Sequence, residues 1–95
     1  MKIIIRNQAG IPNRFLRFAK WKLRSITAKL NYVEYAEIYV SKEGQSPGVY
    51  QSVIKLGVPG NDLILKNKAE ELKELWKKSM NDVQRHLRKF KESKT

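Results

Sequence analysis

Apolar positions recur every second residue in some stretches of the chain and every third or fourth in others, and these changes of period divide it into elements. Lys2 to Arg6 is a short β-branched strand with Ile3 and Ile5 on one face. Gln8 to Gly10 is a turn, and Pro12 suits the first turn of a helix. Helical spacing then runs from Pro12 to Leu30, with Phe15, Phe18, Ala19, Leu23, Ile26 and Leu30 as the buried side. Val33 to Lys42 alternates again, placing Ala36, Ile38 and Val40 on one face and Tyr35, Glu37 and Tyr39 on the other. Lys42 to Gly48 is a polar loop. Val49 to Val58 is a long strand with Ser52, Ile54, Leu56 and Val58 inward. Pro59 to Asp62 is a tight turn, and Leu63 to Lys66 a last short strand.

The final helix is expected from Asn67 to Lys91, with Leu72, Trp76, Met80, Val83, Leu87 and Phe90 on one side. Asn67 is placed to N-cap it, and Glu70, three residues on, to complete a capping box. Glu70, Glu71 and Glu74 suit the positive end of its dipole, and the basic last turns suit the negative end.

The resulting order, β-α-β-β-β-α, contains no repeat and no low-complexity segment. Two helices with one apolar stripe each must cover one face of a four-stranded, mainly antiparallel sheet, an α+β fold. Ile4, Tyr35, Tyr39, Gln51 and Val53 would then occupy the opposite, open face. Residues 1–95 read as a single domain with one core.

Composition adds charge to this picture. The chain is 41% hydrophobic, enough to fold, and has no cysteine, which excludes a disulfide framework and any thiolate metal site. Its net charge is +11, from 20 basic and 9 acidic residues, a field that attracts polyanions. The first helix carries Arg14, Arg17, Lys20, Lys22, Arg24 and Lys29 with no acid among them. Such a helix gains nothing from internal ion pairs, and its like charges repel. The second helix carries Lys73, Lys77, Lys78, Arg85, Arg88, Lys89 and Lys91 opposite its apolar side. The longest aliphatic run, Ile3 to Ile5, is far short of the ~20 residues of a membrane span, so the chain reads as soluble and cytoplasmic.

Catalytic chemistry finds little support. His86 has cationic neighbours in sequence and no evident orienting carboxylate or nucleophile, so it reads as a surface residue. The acids form no metal-spaced cluster, and no P-loop, G-x-S-x-G or G-x-G-x-x-G occurs. Neither an enzyme nor a cofactor is expected. Trp21 lies among Arg14, Arg17 and Arg24, where it would either stack on a base or tuck against the sheet edge or the second helix. Trp76 reads as core. Tyr35 and Tyr39 occupy a position where some RNA binders stack bases, but the nearby Glu34 and Glu37 favour a packing face. Lys66 and Lys68 resemble helix-start lysines of double-stranded-RNA binders, with Glu70 and Glu71 following at once.

The order, the length and the closing run Arg85-His86-Leu87-Arg88-Lys89-Phe90-Lys91-Glu92 resemble the short ribosome hibernation promoting factors, a family that includes ribosome-associated inhibitor A. Ile11, Phe18 and Lys22 fit its first helix. Val33, Ala36 and Ile38 fit its second strand, and Gly60 to Leu65 its last turn and strand. Ser25, Glu71, Lys73, Lys77 and Asp82 depart from its pattern. The resemblance implies a fold similar to double-stranded-RNA-binding domains and no catalysis. It implies a partner, the small ribosomal subunit, met through ribosomal RNA and neighbouring ribosomal proteins, and a monomer off the ribosome. Long members carry an added dimerisation domain, and this chain is expected to be a short form.

On that reading Lys22, Arg24, Arg85, Arg88, Lys89 and Lys91 are the first phosphate clamps. Arg14, Arg17, Lys20, Lys73, Lys77 and Lys78 extend them, and Trp21 lies in the same surface. No membrane and no small-molecule substrate are expected. Two other readings stay open: a general double-stranded-RNA-binding module, and a protein–protein adaptor using the open sheet face.

Overall fold

The computed structural model describes residues 2–28, 30, 32–44 and 48–93, without the side chains of Asn61 and residues 90–93. Lys29, the tip of the polar loop at residues 45–47, and the side chains of Phe90 and Lys91 therefore lie outside the described residues. The elements are β1 (Lys2–Asn7), α1 (Asn13–Thr27), β2 (Tyr35–Glu43), β3 (Val49–Val58), β4 (Asn61–Ala69) and α2 (Leu72–Ser93). Class and order are those read from the sequence.

The strands form one sheet in the order β1-β2-β3-β4. β1 lies parallel to β2, and the other pairings are antiparallel. A parallel pair needs a crossover, and α1 supplies it. Asn7 shapes the entry to that crossover. Its Oδ1 accepts from the Ala9 and Ile11 amides, each at 3.2 Å, while its Nδ2 donates to the Ile11 carbonyl at 2.8 Å.

One sheet face is apolar and covered by both helices. Ile3, Ala36, Ile38, Val40, Ile54, Leu56, Val58 and Leu65 are buried there against Leu23 of α1 and Leu75, Met80, Val83 and Leu87 of α2. Full burial of each such side chain is worth about 1.5–3 kcal/mol, which is why this face is the one the helices cover. The alternation predicted for β2 and β3 holds.

Three expectations need correction. β4 is nine residues long, not four, so Asn67 does not cap a helix. It pairs with Ser52 across the ladder, and continuous pairing with β3 satisfies more backbone groups than an earlier helix start would. Asn67 Nδ2 donates instead to Asp82 Oδ2 of α2 at 3.3 Å, and α2 opens with the Leu75 amide donating to the Glu71 carbonyl at 2.9 Å. Lys66 and Lys68 are consequently strand residues. Phe18, expected in the core, is 53% exposed, because Ala19, Leu23 and Thr27 fill the inward side of α1. Finally, the inward side of α2 is centred on Leu75, Ser79 and Val83, and Leu72 and Trp76 only partly fill its margin.

The hairpin between β3 and β4 is tighter than expected, since Val58 already pairs with Asn61. Gly60 takes φ +84°, a left-handed conformation that an L side chain resists.

Ser79 is fully buried and donates to the Leu75 carbonyl at 2.8 Å, which uses its only hydroxyl proton. Ser52, also buried, must therefore be the donor in the 2.7 Å bond that joins the two hydroxyls. This bond fixes α2 over β3 inside an apolar layer. Replacing Ser79 with Ala leaves the Ser52 donor without an acceptor and should cost about 1–3 kcal/mol in urea unfolding. Adding Ser52→Ala to that variant should restore part of the loss. A double variant less stable by the sum of the two single changes would contradict this role.

Candidate nucleic-acid interface

Both helices lie on the same side of the sheet, and their ends match. The first half of α1 meets the start of α2 around Phe15, Leu16, Ala19, Leu72, Leu75 and Trp76. Its last turn and the chain just beyond meet the second half of α2 at Ile26, Leu30, Tyr32, Leu87 and Arg88. The two helices thus run in the same direction, and α2 continues to Ser93 beyond the level of the α1 end. Tyr32 bridges this seam by donating its hydroxyl to the Leu87 carbonyl at 3.2 Å. Arg24 lies in the last turn of α1, and Arg88 and Lys89 lie in the last two turns of α2, so each helix carries positive charge towards its own negative dipole end.

Apolar burial turns the cations outward. Arg14, Arg17, Arg24, Lys73, Lys77, Lys78, Arg85, Arg88 and Lys89 are exposed, and Lys20 and Lys22 are half-buried. Lys20 and Arg17 line an open groove beside Ile5 of β1. Of these candidates only Lys78 and Arg85 form ion pairs among the described residues. Lys78 lies 3.6 Å from Glu74 and donates to the Lys68 carbonyl at 3.4 Å. Arg85 bonds Asp82 Oδ1 at 2.7 Å, so its charge is partly balanced within the fold.

His86 is not isolated, contrary to the sequence reading. Its Nδ1 lies 2.9 Å from the Asp82 carbonyl oxygen and 3.1 Å from the Asp82 carboxylate, a position suited to a ring N–H. Asp82 therefore joins Asn67, Arg85 and His86 and ties α2 to β4. This is a structural node.

Trp21 is 62% exposed and does not tuck against the sheet or α2. Its ring lies 6.0 Å from that of Phe18, tilted by 35°. Trp76 is half-buried at the margin of the core, with its Nε1 buried and unpartnered.

The open sheet face carries charge that periodicity alone did not mark. Strand register places Lys2, Arg6, Lys55, Lys66 and Lys68 on it, among Ile4, Tyr35, Glu37, Tyr39, Gln51, Val53 and Ile64. Unlike α1, this face has built-in acids. Tyr35 donates its hydroxyl to Asp62 at 3.1 Å, Lys55 lies 3.7 Å from the same carboxylate, and Tyr39 donates to Glu37. The Tyr35 ring lies over Gly57, where a Cβ would come within 2.0 Å of it. Both tyrosines are thus engaged within the sheet, as a packing face requires.

Reduced solvation and the bond to Asp62 push the Tyr35 phenol above its ordinary pKa of 10.0. The Tyr35 oxygen, then Asp62, raise the Lys55 ammonium above 10.5. Both folded-state values are raised, so the stability they contribute is complete below pH 10 and is lost as pH climbs through the shifted values. Asp62→Asn should flatten the fall in urea-unfolding stability above pH 10 relative to the parent chain. Identical alkaline profiles for the two proteins would contradict the arrangement.

No family model matches the sequence, and no curated protein is similar to it in sequence. The likeness appears in three dimensions. A ribosomal subunit interface protein from Coxiella burnetii superposes with a TM-score of 0.82 over 96% of this chain and 98% of its own, at 15% identity. The N-terminal domain of Protein Y from Thermus thermophilus superposes at 0.70 over 94% of each chain, at 16% identity. The chain has the fold of these two proteins, the fold that its resemblance to the hibernation promoting factors implied.

Proposed function

We propose that this protein is a ribosome-associated factor that binds the small subunit through its helix layer and holds the ribosome idle by occupying messenger and transfer RNA sites. One observation carries the reading: an α1 without acids lies beside the basic end of α2, and among the described residues only Lys78 and Arg85 of their exposed cations have a carboxylate partner. The likeness to a ribosomal subunit interface protein along nearly the full length of both chains supports the same partner. The chemistry needed is modest. Spread cations neutralise ribose-phosphate chains, and the volume of the domain excludes other ligands, so no bond is made or broken.

Arg24, Arg88 and Lys89 are the leading phosphate clamps, with Lys22, Arg14, Arg17, Lys73 and Lys77 around them. Arg85 and Lys78 contribute after exchanging an internal carboxylate for a phosphate. Lys91 continues the basic run of α2 in sequence. If about six to eight phosphates are met, affinity should drop by roughly a thousandfold or more between low and moderate salt. The site of action is the cytoplasm, as a ribosomal partner requires.

Sedimentation of the purified protein with vacant ribosomes at two salt concentrations tests this. The parent chain should pellet with ribosomes at low salt and be released at higher salt. Arg24→Ala, Arg88→Ala and Lys89→Ala together should weaken binding and reduce the salt slope by about three. Their thermal stability should be nearly unchanged, because all three side chains are exposed. Unaltered cosedimentation of the triple variant, or its displacement by generic duplex RNA at comparable concentration, would contradict the assignment.

A further inference from the structure

Among the described residues, the large exposed apolar side chains of the helix layer are Phe18 and Trp21, and phosphate neutralisation does not use them. Phe18 and Trp21 are 53% and 62% exposed, with ring centroids 6.0 Å apart. They stand one helical turn apart. Arg17 lies one turn before Trp21 and Arg24 one turn after it, so cations flank the indole along the helix. No acid occurs anywhere in α1.

We propose that Trp21, backed by Phe18, is a stacking platform for an unpaired RNA base, with the neighbouring arginines holding the phosphates on either side of it. This rests on the RNA-binding reading above and adds to it a preference for unstacked nucleotides. An aromatic face accepts any base, whereas bases inside a duplex are already stacked and closed to it. The charge is complementary to a nucleotide strand. The apolar area is two rings, since the continuous apolar stripe of α1, including Ala19 and Leu23, is consumed by the core. That leaves too little for the wide apolar face an interfacial membrane helix inserts, or for the roughly 800 Å² per partner of a standard protein interface.

Trp21→Leu and Trp21→Tyr separate stacking from hydrophobicity without changing charge. Their affinities are to be measured by fluorescence anisotropy for a labelled RNA hairpin with a long unpaired loop and for a blunt RNA duplex of equal length, at two salt concentrations. Trp21→Leu should bind the loop RNA roughly tenfold more weakly, with an unchanged salt slope and unchanged duplex binding. Trp21→Tyr should recover most of the loss. Equal affinities of Trp21→Leu and parent for the loop RNA, or equal losses on loop and duplex, would overturn the proposal. So would loss of binding to phosphatidylglycerol vesicles with RNA binding intact, which would assign the rings to a membrane surface. Failure of the parent protein to bind ribosomes would instead overturn the ribosomal reading, and the two failures are separable because the parent is measured in both assays.

Discussion

The structure depends on one constraint: a single apolar sheet face must bury the apolar stripes of two helices at once. The sheet has one such face, because β2 and β3 alternate strictly, with Ala36, Ile38, Val40, Ile54 and Leu56 all on the same side. Leu23 on α1 and Val83 on α2 are both fully buried against this layer, so neither helix can rotate without losing the burial that holds it. The outward direction of the side chains on the opposite side of each helix follows from that. The cations are therefore displayed as a consequence of burying the core.

The display carries a cost, and the fold offsets part of it. Like charges along α1 repel one another, and nothing on that helix neutralises them. Two arrangements reduce the strain. Arg24 lies in the last turn of α1, and Arg88 and Lys89 lie in the last two turns of α2, each towards the negative end of its own helix dipole. Asp82 draws Arg85 and His86 towards Asn67, converting part of the excess charge into a link between α2 and β4. Apart from Lys78, which pairs with Glu74, the remaining helix-layer cations have no carboxylate partner among the described residues, which suits them to an outside polyanion. The sheet face differs, since Asp62 and Glu37 already engage Lys55, Tyr35 and Tyr39.

Much of this was legible in the sequence. Element order, the inward faces of β2 and β3 and the outward position of most helix cations follow from period and charge. The errors have physical causes. Asn67 and Glu70 satisfy the local pattern of a capping box, but that pattern cannot report that β3 extends far enough to pair with Asn67. Phe18 looks apolar enough for a core, yet the crossover leaves α1 resting on its Ala19 and Leu23 side. The engagement of Asp82 with His86 spans one helical turn and was open to sequence reasoning; its further contact with Asn67 was not, because it depends on where β4 ends. The sheet-face lysines stay hidden until strand register is known.

On the proposed reading the helix layer, and not the open sheet face, meets the ribosome. Lysine labelling tests it most directly: limited reductive methylation of the free and ribosome-bound protein, with mass spectrometry reading each site. Lys22, Lys73, Lys77 and Lys89 on the helices should be protected, while Lys2, Lys55 and Lys66 on the sheet face should stay as reactive as in the free chain. Protection of the sheet-face lysines with the helix lysines fully labelled would contradict it.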